Sequence, residues 1–180
     1  MTVAFFVNVK GEKEEPIVIW KSKNPRCFKN LRDKRRPANV TYFSNPKSWM
    51  NSEIMIELLK GINRRMRREQ REIILFLDNT GCHPMSLQEM FSNIKVVFLP
   101  PNTTSRLQPL DAVVIKNFKV RYRKLLLKFV VSRVNRRLTA PDIAKEVDVL
   151  QAIRWIKQAW DEVPEEIVLR QMWIFQCGTE

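Results

Sequence analysis

Two aspartates, Asp78 and Asp111, stand 33 positions apart, and each follows an apolar run of β type. The run Ile73-Ile74-Leu75-Phe76-Leu77 puts Asp78 directly at a strand's C-terminal end, where open α/β sheets place their chemistry. The run Val96-Val97-Phe98-Leu99 leads into a polar, Pro-rich loop that delivers Asp111 to a helix start. Carboxylates are hard oxygen ligands. Two brought together this way can hold divalent cations such as Mg²⁺, and paired cations activate an attacking oxygen and steady a leaving one in phosphodiester chemistry. The single histidine, His83, follows Asp78 by five residues. It is a candidate to hydrogen-bond near such cations or a phosphate, and Asn79 is a candidate to orient Asp78 or to contact a phosphate. Each residue also has a blander reading taken alone: a strand-end aspartate, a helix first-turn aspartate favoured by the dipole, a turn histidine.

The elements that must position these residues follow from pattern. Thr2–Val9 and Pro16–Trp20 read as a hairpin about the polar turn Gly11-Glu12-Lys13, and Val40–Phe43 as a further short strand. Asn51 is a plausible N-cap for a helix whose Ile54, Leu58 and Ile62 recur every four residues, with Met55, Leu59 and Met66 alongside. That helix ends in Arg64-Arg65-Met66-Arg67-Arg68, where positive charge suits the dipole. Ile73–Asp78 reads as a strand buried on both faces. A short helix near Ser86–Phe91 and a strand Lys95–Leu99 follow. Pro109 suits the first turn of a helix running to about Arg137, with Ile115, Phe118, Tyr122, Leu125, Leu126 and Phe129 as its apolar face. Thr139 and Asp142 form a capping pair for a helix expected to run through Trp160, and Pro164-Glu165-Glu166 opens a last one. The five tryptophans, Trp20, Trp49, Trp155, Trp160 and Trp173, read as core. The order fits an α/β fold with a sheet of antiparallel and parallel parts.

Composition narrows the partners. The chain of 180 residues is long enough for one sizeable core, and 44% of it is hydrophobic. No apolar run approaches the roughly 18–20 residues of a membrane-spanning helix, and the N-terminus reads as a strand, not a signal peptide. Cys27, Cys82 and Cys177 are widely spaced, form no zinc pattern with His83, and fit free thiols in a reducing compartment. The net charge of +13 is unevenly spread: 61–137 holds 16 basic and 5 acidic groups, whereas 138–180 holds 4 and 8. A basic concentration around the two aspartates points to a polyanion, most often nucleic acid. Arg32, Lys34, Arg35, Arg36, Arg64, Arg65, Arg67, Arg68, Lys116, Lys119, Arg123 and Lys124 are the candidate phosphate-binding residues, which neutralise a backbone without reading its sequence.

The segments "FLPPNTTSRLQPLD" (98–111) and "LDNTGCHP" (77–84) resemble the DDE-type endonuclease (transposase) domain of the pogo/Tigger group, which includes the Jerky-like and centromere-B-like proteins. "WKSKNPRCFKN" (20–30), "VTYFSNPKSWMNSEI" (40–54) and "AIRWIKQAWDEVPEEIV" (152–168) match in order and spacing, so the resemblance covers nearly the whole chain. It implies a ribonuclease-H-like core over 1–137 and a helical extension over 138–180 packed on it. It makes Asp78 and Asp111 the second and third acidic ligands of an Mg²⁺ or Mn²⁺ site. The first ligand, on the family's first strand, finds no match, and the chain reads as starting on the second strand. After Asp111 the family continues Gln-Gly; here Ala112-Val113 stands, without the close backbone approach that glycine allows. The resulting expectation is a transposase-derived, DNA-associated nuclear protein with a truncated, inactive endonuclease domain. Two other readings stay open. One is an active metal-dependent endonuclease completed by upstream sequence or another subunit. The other is a domesticated protein-interaction module with no DNA role. Self-association is compatible with each.

Overall fold

The computed structural model describes residues 1–30, 37, 39–100, 113–134 and 139–170. The chain divides into two compact units, one made of 1–48 with 109–180 and the other of 49–108. The secondary structure is mixed α/β with small sheets and helices, consistent with a ribonuclease-H-like domain.

The first unit carries a three-stranded sheet. Strand β1 (Thr2–Ala4) pairs antiparallel with β2 (Ile17–Trp20), which pairs parallel with β3 (Thr41–Ser44). The expected hairpin forms, but its first strand is regular only to Ala4 and continues as a single bridge between Val7 and Lys13. The turn explains the interruption. The Asn8 side-chain carbonyl accepts the backbone N–H groups of Lys10 and Glu12, both at 3.0 Å. Gly11 sits at φ 83°, and a Cβ there would lie 2.8 Å from Leu169 Cγ, so both backbone and space demand glycine.

Among the described residues this unit also carries the helices α2 (Ile115–Arg133), α3 (Ala140–Lys145) and α4 (Val149–Asp161), a 3-10 turn at Arg26–Asn30 and a further helical stretch at 165–170. The single helix expected from Thr139 to Trp160 is in fact two. Asp148 takes the cap position of α4, accepting the Gln151 N–H at 2.7 Å, while the Glu146 N–H closes α3 on Ile143. Phe28, Tyr42, Phe118, Ile153, Trp160 and Val168 share one buried cluster. Phe5 stacks on Trp160 at 4.1 Å and meets Phe118 edge-on at 4.7 Å. Lys13 ties the hairpin to the end of α4, donating to the carbonyls of Trp160 (2.9 Å), Asp161 (3.0 Å) and Val163 (2.6 Å). Burial lowers the Lys13 pKa, opposed by Asp161 and Glu165.

The second unit is smaller. Helix α1 (Ser52–Arg68) begins at the expected cap, where the Asn51 side chain accepts the Ile54 N–H at 2.9 Å. Ile54, Met55, Leu58, Leu59 and Met66 form its buried stripe. Strands β4 (Ile73–Leu77) and β5 (Ile94–Phe98) pair parallel, Ile73 opposite Ile94. Asn93 joins helix to sheet: its N–H donates to the Asn63 side chain (2.9 Å), its amide to the Arg71 carbonyl (3.0 Å), and its carbonyl accepts the Ile73 N–H (3.0 Å). Three expectations need correction in this unit. Strand β4 is not buried on both faces: Ile74 is 59% and Phe76 44% exposed, because two strands pack only one face. The helix expected over Ser86–Phe91 is a one-turn 3-10 segment, Met85–Gln88, which seats Leu87 in the core. Trp49 is 71% exposed and not core, since it precedes the α1 cap and lies off the helix's apolar stripe. Among the described residues no helix is long and apolar enough to cross a membrane.

Candidate functional site

Strand β4 ends at Leu77, so Asp78 stands at its C-terminal end, as its sequence position requires. The chain then turns sharply: the Thr80 N–H bonds the Asp78 carbonyl at 3.1 Å and the His83 N–H bonds the Thr80 carbonyl at 2.9 Å. This turn folds His83 back, and its Nδ1 lies 2.9 Å from Asp78 Oδ1 and 2.9 Å from the Asp78 carbonyl oxygen. Both are acceptors, so Nδ1 is the donor in this contact. Asp78 is thereby oriented through one carboxylate oxygen, while its side chain stays 22% exposed and that of His83 only 11%. Thr80 Oγ1, 3.2 Å from His83 Nδ1 and 3.2 Å from Cys82 Sγ, is a member of the turn that sequence reasoning missed. Its signal was its place three residues before His83, the span of a β-turn. Asn79, between Asp78 and Thr80, is exposed.

Asp111 lies in 101–112, outside the described residues, so the structure does not give its distance from Asp78. Among the described residues no group of three or more His, Cys, Asp or Glu side chains comes together. One oriented carboxylate fits a hard cation in kind but does not by itself make a site for it. Cys27 and Cys82 are free thiols, and Cys177 lies outside the described residues.

The basic candidates separate by setting. Arg32, Lys34, Arg35 and Arg36 lie outside the described residues. On α1, Arg64, Arg67 and Arg68 are exposed and, among the described residues, pair with no carboxylate; Arg65 is half-buried. With Gly61 the three exposed arginines line a shallow depression of about 680 Å³. Gly61 was not singled out from sequence, although a glycine inside an amphipathic helix is itself a signal. A Cβ there would meet nothing within 4 Å, so packing does not require the glycine. On α2, Lys116, Lys119, Arg123 and Lys124 are also exposed, but they share their surface with Val120, Leu127 and Val131.

The DDE superfamily endonuclease model matches residues 1–173. The chain belongs to the DDE superfamily endonucleases. Its curated relatives place it in the pogo/Tigger group. The mouse (Mus musculus) Tigger transposable element-derived protein 4 is 25% identical over 173 residues, covering 94% of this chain and 31% of that protein. Two proteins of Schizosaccharomyces pombe are similar as well. CENP-B homolog protein 2 is 27% identical, with 89% of this chain and 32% of that protein covered. ARS-binding protein 1 is 29% identical, with 93% and 33% covered. The chain thus spans about a third of these relatives' length. No solved structure matches.

Proposed function

We propose that this DDE superfamily member is a transposase-derived nuclear protein that holds DNA through an exposed basic surface, and that residues 1–180 alone do not cleave it. The observation that carries the DNA reading is the set Arg64, Arg67 and Arg68: exposed, unpaired among the described residues, and grouped around an open depression. Guanidinium groups so placed bind phosphates and release counterions. A relative named for binding, ARS-binding protein 1, agrees with it. Helices α3 and α4, which pack on α2, support reading 138–180 as an extension on a core of 1–137. The test is duplex-DNA titration between about 50 and 200 mM salt. Affinity should fall steeply with salt for wild type and flatten in the variant with all three arginines changed to alanine. Binding indifferent to both salt and substitution would leave these arginines as a solvated helix end.

The inactive reading rests on ligand supply. Of three family carboxylates this chain matches two, Asp78 and Asp111. The sole aspartate before Asp78 is Asp33, within the basic run Arg32–Arg36. A hard-cation site short of one carboxylate loses both charge and geometry. Residues 1–180 should therefore not nick supercoiled plasmid with Mg²⁺ or Mn²⁺, and Asp78→Ala should change little. A second reading, an active endonuclease completed by another segment or subunit, is favoured by two observations. Asp78 is held by His83 and still reaches solvent, and β4 pairs on one edge alone among the described strands. Robust nicking lost in both Asp78→Ala and Asp111→Ala would establish that second reading.

A further inference from the structure

Helix α2 is apolar on two sides. One side is the packed face that carries Phe118, Tyr122, Leu125 and Phe129. On the other, Val120 is 57%, Leu127 61% and Val131 72% exposed, and Val134 at the C-cap is 58% exposed. Residues 120, 127 and 134 are separated by seven, and 131 lies four beyond 127. At 3.6 residues per turn all four fall within an arc of about 60°, the pattern of a seam rather than of scattered surface residues. Three of the four are valines, whose branched side chains disfavour a helix, so neither propensity nor solvation accounts for them. Leu127, Val131 and Val134 are neighbours at three- and four-residue steps, with Val120 one heptad before across Arg123 and Lys124, and an exposed apolar stripe of this kind marks an interaction surface.

The charges around the stripe name the occupant. The stretch 113–134 holds seven basic residues and no acidic one. Two of the seven are engaged: Arg121 bonds the Asn117 side chain at 2.8 Å, and Arg133 pairs with Glu146 at 2.7 Å. Lys116, Lys119, Arg123, Lys124 and Lys128 are exposed beside the apolar residues and, among the described residues, meet no carboxylate. We propose that this face of α2 docks an amphipathic helix of a protein partner, apolar at heptad spacing and flanked by glutamate or aspartate. A second copy of α2 is disfavoured, because its flanks would bring like charges together. DNA would use the lysines but leave the valines and Leu127 idle, whereas an acidic-flanked helix satisfies both sets at once. This surface belongs to a different helix from the arginines of α1 that support the DNA reading.

The probe is a synthetic helical peptide of about three heptads, leucine at the first and fourth position of each and glutamate at the flanks, with a scrambled peptide of equal composition as control. Binding to residues 1–180 is read by fluorescence anisotropy. Wild type should bind the heptad peptide and not the scrambled one. Leu127→Ser with Val131→Ser should weaken binding at least ~10-fold, and Val120→Ser should weaken it less. All three positions are more than half exposed, so circular dichroism should show an unchanged fold. Equal binding of the two peptides, no binding of either, or indifference to the serine variants would overturn the proposal. So would a competing occupant: wild-type self-association, duplex-DNA affinity or attachment to phosphatidylserine vesicles that the same serine variants abolish.

Discussion

Helices α1 and α2 are both strongly basic, but their exposed surfaces differ in kind. Every exposed residue of α1 is charged: Glu53, Glu57 and Lys60 lead to Arg64, Arg67 and Arg68, and its large apolar side chains are buried or half-buried. Its charges also run from acidic to basic along the axis, as the dipole favours. Helix α2 alternates exposed lysines with exposed Val120, Leu127 and Val131 while burying Phe118 and Val130 on other sides. Net charge alone does not distinguish the two. What separates them is whether the charges stand alone, as suits a phosphate backbone, or frame apolar surface, as suits a protein.

The comparison breaks first if the two sides of α2 are energetically alike. Phe118 is buried against Phe5 and near Tyr122, so Phe118→Ala should cost about 3–5 kcal/mol. Leu127→Ala, at 61% exposure, should stay within about 0.5 kcal/mol of wild type. Urea unfolding measures both. A comparable cost at Leu127 would mean that the chain itself covers this stripe, and the docking surface would vanish with it.

Next in size is the division of labour between the helices. Alanine at Arg64, Arg67 and Arg68 should weaken DNA binding at least ~10-fold and reduce the log–log salt slope by about 0.9 for each phosphate no longer neutralised. Alanine at Lys119, Arg123 and Lys124 should leave that slope nearly unchanged and weaken an acidic helical peptide instead. If both triple variants bind DNA equally poorly, the chain has one distributed phosphate surface and the distinction between α1 and α2 fails.

How much of this was legible in the residues depended on how local the cause was. Helix α1 could be read because its cap and its four-residue apolar recurrence are both local, and Asn51 and Ile54 meet as expected. Asp78 at the end of β4 was legible for the same reason. The His83 contact with Asp78 was not read from the residues, although it needs only a turn of a few residues. The faces of β4 were not legible, since the exposure of Ile74 and Phe76 depends on which other strands pair and pack with it. The break between α3 and α4 was hidden because Asp148 caps one helix inside what looks like a continuous apolar recurrence. The α2 stripe was hidden by the same ambiguity: Val120 and Leu127 look like core until the packed side is seen to be full. The pairing of Asp78 with Asp111 stays a proposal, because 101–112 lies outside the described residues.

A smaller effect tests the start of α1. Asn51→Ala removes the acceptor for the Ile54 N–H and should cost about 1 kcal/mol. Because the cap is at the opposite end from the arginines, DNA affinity measured well below the melting temperature should not change. A parallel drop in affinity would show that the arginine surface depends on the order of the whole helix.

The smallest expected effect is a gain, and it sharpens the contrast between the two surfaces. Gly61 is a poor helix former inside α1, and a methyl added there meets nothing within 4 Å. Gly61→Ala should therefore stabilise the protein by about 0.5–1 kcal/mol and raise the melting temperature by roughly 2–4 °C at most for a chain of this size. Val120→Ala on α2 should gain a few tenths of a kcal/mol for the same reason, since alanine outranks a β-branched residue where packing does not decide. The two should part on binding. Gly61→Ala adds one methyl to the floor of an open depression and leaves the three arginines free to reach phosphate, so DNA affinity should hold. Val120→Ala removes part of the apolar seam, so the acidic helical peptide should bind more weakly despite the stabler helix. A Val120→Ala protein that melts higher and binds the peptide as well as wild type would show that this valine is only an unfavourable surface residue.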